Sequence, residues 1–155
     1  MDVVIRSAVA GEAEQILGLQ RLCYRSEAEL YEDWSIPPMT QTLPELLAEY
    51  EDREVLVARL GDEVVGSVRG REEGGTCRVG RLIVHPRLQR RGIGGRLMGE
   101  LEGRFPRAER FELFTGHKSE GNLRLYRHLD YEEVREQRVS PRLRLVYLQK
   151  ARGLV

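Results

Sequence analysis

The chain has 155 residues, about one domain's worth, with 41% hydrophobic and 32% charged residues and 25 basic side chains against 25 acidic ones. That neutrality argues against a nonspecific nucleic-acid binder, and no apolar run approaches the roughly 18 residues of a membrane span. The balance hides a split, because residues 1–63 carry 5 basic and 14 acidic side chains and residues 64–155 carry 20 basic and 11 acidic.

An alternation of Val3, Ile5 and Ala8 predicts a short first strand, followed by a helix from about Glu12 to Asp33 with Ile16, Leu19 and Cys23 at helical spacing. The tandem Pro37-Pro38 breaks that pattern, and a second helix is expected over Leu43–Glu51, capped by Thr42. From Glu54 the period changes to two. Strands are predicted over Val55–Leu60, Val64–Arg71 and Thr76–Val84, with turns at Gly61-Asp62 and Gly74-Gly75. A helix then runs to about Phe105, burying Ile93, Leu97, Met98 and Leu101. Phe111–Phe114 reads as a strand and Glu120–Leu129 as a helix capped by Ser119. Tyr131–Val139 and Leu143–Lys150 read as closing strands. The order β-α-α-β-β-β-α-β-α-β-β is that of an α/β fold with a mixed, largely antiparallel sheet, and residues 1–155 are expected to form a single domain.

Cys23 and Cys77 fit no CxxC spacing, and His85, His117 and His128 fit no HxxxH or HExxH spacing, so neither a disulfide framework nor a metal is expected. The start, MDVVIRSAV, lacks the basic and apolar regions of a signal peptide, which makes a cytoplasmic location the expectation. The informative segment is Val79–Glu102, VGRLIVHPRLQRRGIGGRLMGELE. A buried strand ends at Pro86, and Gln89-Arg90-Arg91-Gly92-Ile93-Gly94-Gly95 leads into a helix. Three glycines within four residues let a ligand approach the backbone, and the N–H groups of a helix start have no intrahelical partners. With the helix dipole and Arg87, Arg90, Arg91 and Arg96, that makes a site for a phosphate or pyrophosphate. A Walker loop is excluded because the chain has no Gly-Lys pair, and a dinucleotide fingerprint because Leu97 stands where GxGxxG requires glycine.

The run Gln89-Arg90-Arg91-Gly92-Ile93-Gly94 resembles the acetyl-CoA loop, Q/R-x-x-G-x-G/A, of the GCN5-related N-acetyltransferase (GNAT) superfamily. Asn122-Leu123-Arg124-Leu125-Tyr126 through Tyr131 is similar to the helix and strand start that place a tyrosine beside the CoA sulfur in that family. The order of elements agrees with the GNAT order along nearly the whole chain. Two positions depart from the pattern: Asp130 replaces the usual glycine at a left-handed helix end, and Ser119 replaces a frequent asparagine, with Asn122 only four residues before Tyr126.

The resemblance implies an acetyl-CoA-dependent N-acetyltransferase acting on a primary amine of a small molecule or protein, by direct attack in a ternary complex. Acetyl-CoA would lie between the strand ending at Val84 and that of Phe111–Phe114. The main chain of Leu82, Ile83 and Val84 would pair with the pantetheine, and Gln89 to Gly95, that is Gln89, Arg90, Arg91, Gly92, Ile93, Gly94 and Gly95, would hold the pyrophosphate. Ser119 and Asn122 compete for one ligand contact, and Tyr126 would protonate the departing sulfur unless it is simply a buried aromatic. The base is Glu112, His117 or water. For the two side chains the plainer readings are a solvent-facing strand residue and a loop surface group. Glu72 and Glu73 are weaker candidates, His85 is read as structural and Cys23 as a buried small hydrophobe.

The first helices and their connection carry Tyr24, Tyr31, Trp34, Ile36 and Met39 beside Glu27, Glu29, Glu32 and Asp33. This is either an acidic, aromatic mouth for a cationic amine or a solvated helix face with Trp34 as a core anchor. A noncatalytic acyl-CoA sensor is the competing function, and the closing strands offer an edge for a homodimer.

Overall fold

The elements follow in chain order as β1 (Val3–Ser7), α1 (Ala13–Leu30), α2 (Pro37–Thr40), α3 (Leu43–Glu49), β2 (Glu54–Leu60), β3 (Glu63–Glu73), β4 (Thr76–Val84), α4 (Ile93–Gly103), β5 (Arg110–Gly116), α5 (Glu120–His128), β6 (Glu132–Ser140) and β7 (Leu143–Ala151). The structure is a computed structural model, and it describes residues 2–153. The strands form one sheet in the order β1-β2-β3-β4-β5-β7-β6, antiparallel at every junction except β4–β5. This is the mixed, largely antiparallel α/β arrangement that the periodicities predict.

Alternation along β2 divides the core. Val55 and Val57 face one side of the sheet and pack with Ala13, Ile16 and Leu19 of α1 and Leu46 of α3. Leu56 and Ala58 face the other and pack with Ile93, Leu97 and Leu101 of α4. The second layer depends on small residues in β3. A Cβ on Gly66 would lie 3.0 Å from Leu97 Cδ1, and one on Gly70 3.0 Å from the Phe105 ring. Helix α4 therefore sits closer to the sheet than a strand of larger residues would allow.

Three local expectations need correction. The first helix begins at Ala13, after a 3-10 turn at Ala10–Glu12, and ends at Leu30, so it does not run from Glu12 to Asp33. The two prolines do not simply break structure; they open the four-residue α2, because first-turn residues need no backbone donor. Ser119 occupies the N-cap position of α5, but its side chain makes no capping bond. Its hydroxyl is used across the site, as described below.

Ion pairs, some within residues 1–63 and some across the charge split, engage part of the acidity of residues 1–63. Glu12 binds Arg6 and Arg59, Glu49 binds Arg69, Glu54 binds Arg104, and Glu63 binds Arg87. Arg69 is buried, its guanidinium donating to Gln20, Gln41 and Glu49 under the first three helices.

Candidate active site

The site originates in a break of the sheet. β4 and β5 pair only through Thr76–Arg110, Cys77–Phe111 and Arg78–Glu112, and beyond those residues the two parallel strands separate. The register between β3 and β4 also slips, two steps along β3 from Ser67 to Arg69 matching three along β4 from Ile83 to Gly80. Arg81 lies in that bulge with φ +54°, a conformation unusual for a residue with a Cβ. A bulge bends a strand and frees its ladder, so the Leu82–Val84 segment borders the gap on the β4 side.

The glycine-rich loop closes one end of the gap. Gly92, at φ +81°, is the N-cap of α4, and Arg90 also has a positive φ of 64°. Gly94 sits where a Cβ would touch Leu125, Val84 and Leu82 at 3.6–3.9 Å, so the start of α4 meets β4 and α5 at this point. The N–H of Arg96 bonds Gly92 O at 3.0 Å, making it the first intrahelical donor, and those of Ile93, Gly94 and Gly95 precede it. The four arginines expected around the loop divide into two pairs. Arg87 is held by Glu63 and His85, and Arg96 donates to Val3 O at 3.0 Å; Arg90 and Arg91 are exposed and join no ion pair among the described residues.

The other end is bounded by α5 and α1. Tyr126 is 7% exposed, and its hydroxyl makes no hydrogen bond to any described residue. Burial, with smaller contributions from Tyr24 and Glu27, pushes its ionisation well above the usual range for a phenol. Around it runs a chain of donors. Lys118 N–H donates to the Tyr31 hydroxyl at 2.8 Å, Tyr31 and Ser119 Oγ are 3.0 Å apart, and Ser119 donates to Glu27 Oε2 at 2.6 Å. A carboxylate only accepts, so the Ser119 proton points to Glu27 and Tyr31 donates to Ser119. Asn122 Nδ2 lies 3.4 Å from Glu27 Oε1 and 3.2 Å from Thr115 Oγ1. The loop at Gly94 thus meets Leu82 and Val84 of β4 and Leu125 of α5, the helix that also carries Asn122 and Tyr126 and is preceded by Ser119.

The model of the acetyltransferase (GNAT) family matches residues 14–131. The chain belongs to the GNAT acetyltransferase family. No curated protein matches the chain. Among solved structures, the PaiA N-acetyltransferase of Thermoplasma acidophilum, determined with coenzyme A, superposes with a TM-score of 0.81 at 16% identity, covering 98% of this chain and 100% of its own. The ribosomal-protein-S18-alanine N-acetyltransferase of Escherichia coli gives 0.78 at 13% identity, covering 99% and 96%. YncA of Salmonella typhimurium, a putative acetyltransferase determined with acetyl-CoA, gives 0.74 at 21% identity, covering 96% and 93%. At these identities the likeness is one of fold.

In this GNAT chain most of the remaining sequence candidates are held by contacts of their own. Glu112 is buried instead of facing solvent, and is held by Arg78 at 3.3 Å, Arg135 at 3.2 Å and Gln149 at 2.7 Å. His117 is half-buried; its Nδ1 accepts the Arg144 N–H at 2.9 Å and its ring lies 5.7 Å from that of Tyr31. His85 Nδ1 accepts the Arg87 N–H at 3.2 Å in the turn after β4, a structural role. Cys23 donates to Val84 O at 3.4 Å, and burial pushes its thiol up to about 11, so little thiolate forms near neutrality. Trp34 is 53% exposed and anchors no core. Of the acidic group near it, Glu32 pairs with Arg142, Asp33 bonds Ser35, and Glu29 is exposed, whereas Glu27 reaches the gap. Sequence reading grouped Glu27 with its neighbours because nothing local shows that this turn of α1 faces α5.

Proposed function

We propose that this GNAT acetyltransferase transfers the acetyl group of acetyl-CoA to a primary amine, of a small molecule or a protein, by direct attack within a ternary complex. The observation that carries this reading is the separation of β4 from β5 after Arg78, with the glycine-capped start of α4 at one end and the Tyr126 hydroxyl, without a partner among the described residues, at the other. The residues present fit the cosubstrate. Gly92 and the first N–H groups of α4, with the exposed Arg90 and Arg91, suit a pyrophosphate, and the bulged Leu82–Val84 strand suits an extended amide-bearing arm. When bound, acetyl-CoA supplies an acyl group activated as a thioester.

The chain's own residues handle position and protons. As the amine nitrogen bonds to the acyl carbon and the carbon–sulfur bond breaks, the Tyr126 hydroxyl gives its proton to the departing sulfur. A raised pKa keeps that proton in place across the neutral range. Glu112 is held by Arg78 and Arg135 and His117 Nδ1 by the Arg144 N–H, which favours water as the acceptor of the proton released by the amine. Ser119 and Asn122 share the Glu27 carboxylate, which fixes both at the start of α5.

Acetyl-CoA at about 100 times its dissociation constant is expected to stabilise the fold by about 2.7 kcal/mol. Thiol release should then follow on adding primary amines. No thermal shift overturns the CoA reading; a shift without thiol release from any amine identifies an acyl-CoA sensor instead.

A further inference from the structure

Helix α1 lies across the open mouth of the gap. Cys23 binds the end of β4 through Val84 O, Glu27 binds Ser119 and Asn122 at the start of α5, and Tyr31 binds the turn between β5 and α5. These three residues are four apart in sequence, so they form one stripe along the helix. Tyr24 follows Cys23 and packs, with it, against the core beneath α1.

Two opposite charges border this mouth without neutralising each other. Glu27 has no Arg, Lys or His within 4.0 Å among the described residues, and both of its hydrogen-bond donors are neutral. Arg81 makes no ion pair and no side-chain hydrogen bond among the described residues, and its Nε is buried with no acceptor. A buried N–H with no acceptor is destabilising, and the positive φ at Arg81 adds to the cost. Arg81 lies on the α1 side of the sheet: Val79 and Leu82, flanking the bulge, both pack in the α4-side core and Ile83 in the α1-side core, so Gly80 and Arg81 between them turn toward α1. Carboxylate and guanidinium thus both lie along α1 without pairing with each other.

Resting on the acetyl-transfer reading, we propose that the acceptor is a small amine that carries its own carboxylate, with its amino end at Glu27 and its carboxylate at Arg81. Such a dipolar molecule satisfies both charges at once and spans the mouth from β4 to α5. The amine end then lies on the side nearer Tyr126. Free amino acids are the simplest members of the class. A peptide amine, whose adjacent carboxyl is an amide, leaves Arg81 unmatched.

The test measures thiol release with amino acids, their carboxamides and their decarboxylated amines, on wild type, Glu27→Gln, Arg81→Gln and Arg81→Lys. The amino acids should exceed both analogues by about tenfold or more in kcat/KM. Glu27→Gln and Arg81→Gln should each raise KM for the amino acid by about tenfold, and Arg81→Gln should move KM for acetyl-CoA less than about twofold. Arg81→Gln should remove the preference for the carboxylate, and Arg81→Lys should restore part of it. The thermal shift with acetyl-CoA confirms that each variant is folded. Turnover of carboxamides or simple amines as good as that of amino acids overturns the acceptor assignment and leaves acetyl transfer standing. No turnover of any amine overturns both.

Discussion

A Cβ on Gly116 would lie 2.0 Å from the hydroxyl oxygen of Tyr31. The last residue of β5 is therefore the floor against which α1 ends, and the Tyr31 hydroxyl uses that space to reach Lys118 N–H and Ser119. Gly116→Ala must displace a ring that is only 4% exposed. The expected cost is about 1–3 kcal/mol, read as a fall in Tm of roughly 2–12 °C, with loss of acetyl transfer because Ser119 and Glu27 shift together. Tyr31→Phe keeps the packing and loses only the hydrogen bonds, so it should cost less than the glycine substitution. Equal stability of Gly116→Ala and wild type would show that α1 is free to move away from β5.

Asp130 ends α5 with φ +72°, and the N–H of Tyr131 closes the turn on Tyr126 O at 3.0 Å. This is the left-handed helix end for which glycine is the usual residue, and an aspartate there also places negative charge at the negative pole of the helix. Asp130→Gly should raise stability by about 1 kcal/mol, or a Tm higher by about 2–4 °C, without changing kcat. A lower Tm would mean that the Asp130 side chain contributes more than its backbone strain costs.

What the sequence made legible was local or periodic. The loop from Gln89 to Gly95 could be read because its glycines and its helix start are contiguous, and Asp130 because a helix end constrains its own backbone. What escaped depends on residues distant in sequence. Gly66 and Gly70 look like weak points of a strand until α4 is laid over them. Arg69 alternates like any strand residue, and its burial follows only from Gln20, Gln41 and Glu49 converging on it. Ser119 has the sequence of a helix cap, yet its hydroxyl turns to Glu27, ninety-two residues away. The bulge at Arg81 leaves no mark in the alternation of β4.

Glu12 ties three elements together. Burial alone would raise its pKa, but hydrogen bonds from Arg6, the Val9 N–H and Arg59, with the charge of Arg6, outweigh it and hold the carboxyl at about 2, against an ordinary 4.5. A depressed folded-state pKa means stability that is present above about pH 4.5 and is lost as pH falls from there toward about 2. The shift corresponds to about 3 kcal/mol. Glu12→Gln should lower Tm at neutral pH and flatten the acid limb of the stability curve over that window. Parallel acid limbs in the two proteins would assign acid unfolding to other carboxylates.

Tyr126 separates a chemical role from a packing role. The ring belongs to the core beneath α4, 6.1 Å from the Tyr131 ring, while the hydroxyl is left without a partner among the described residues. Tyr126→Phe keeps the ring, so the melting temperature and the thermal shift with acetyl-CoA should stay close to wild type. If the hydroxyl protonates the departing sulfur, kcat should fall by about 10²–10⁴ with KM for acetyl-CoA little changed. Because burial holds the phenol's pKa above its usual value, the proton is present throughout the neutral range. The wild-type rate should therefore show no descending limb from this residue below about pH 10. Its contribution to stability has the opposite sense to that of Glu12: a raised pKa leaves stability intact below about pH 10 and erodes it as pH climbs beyond. Equal kcat for Tyr126→Phe and wild type from about pH 6 to about pH 9 would remove the hydroxyl from the reaction and leave the ring as core.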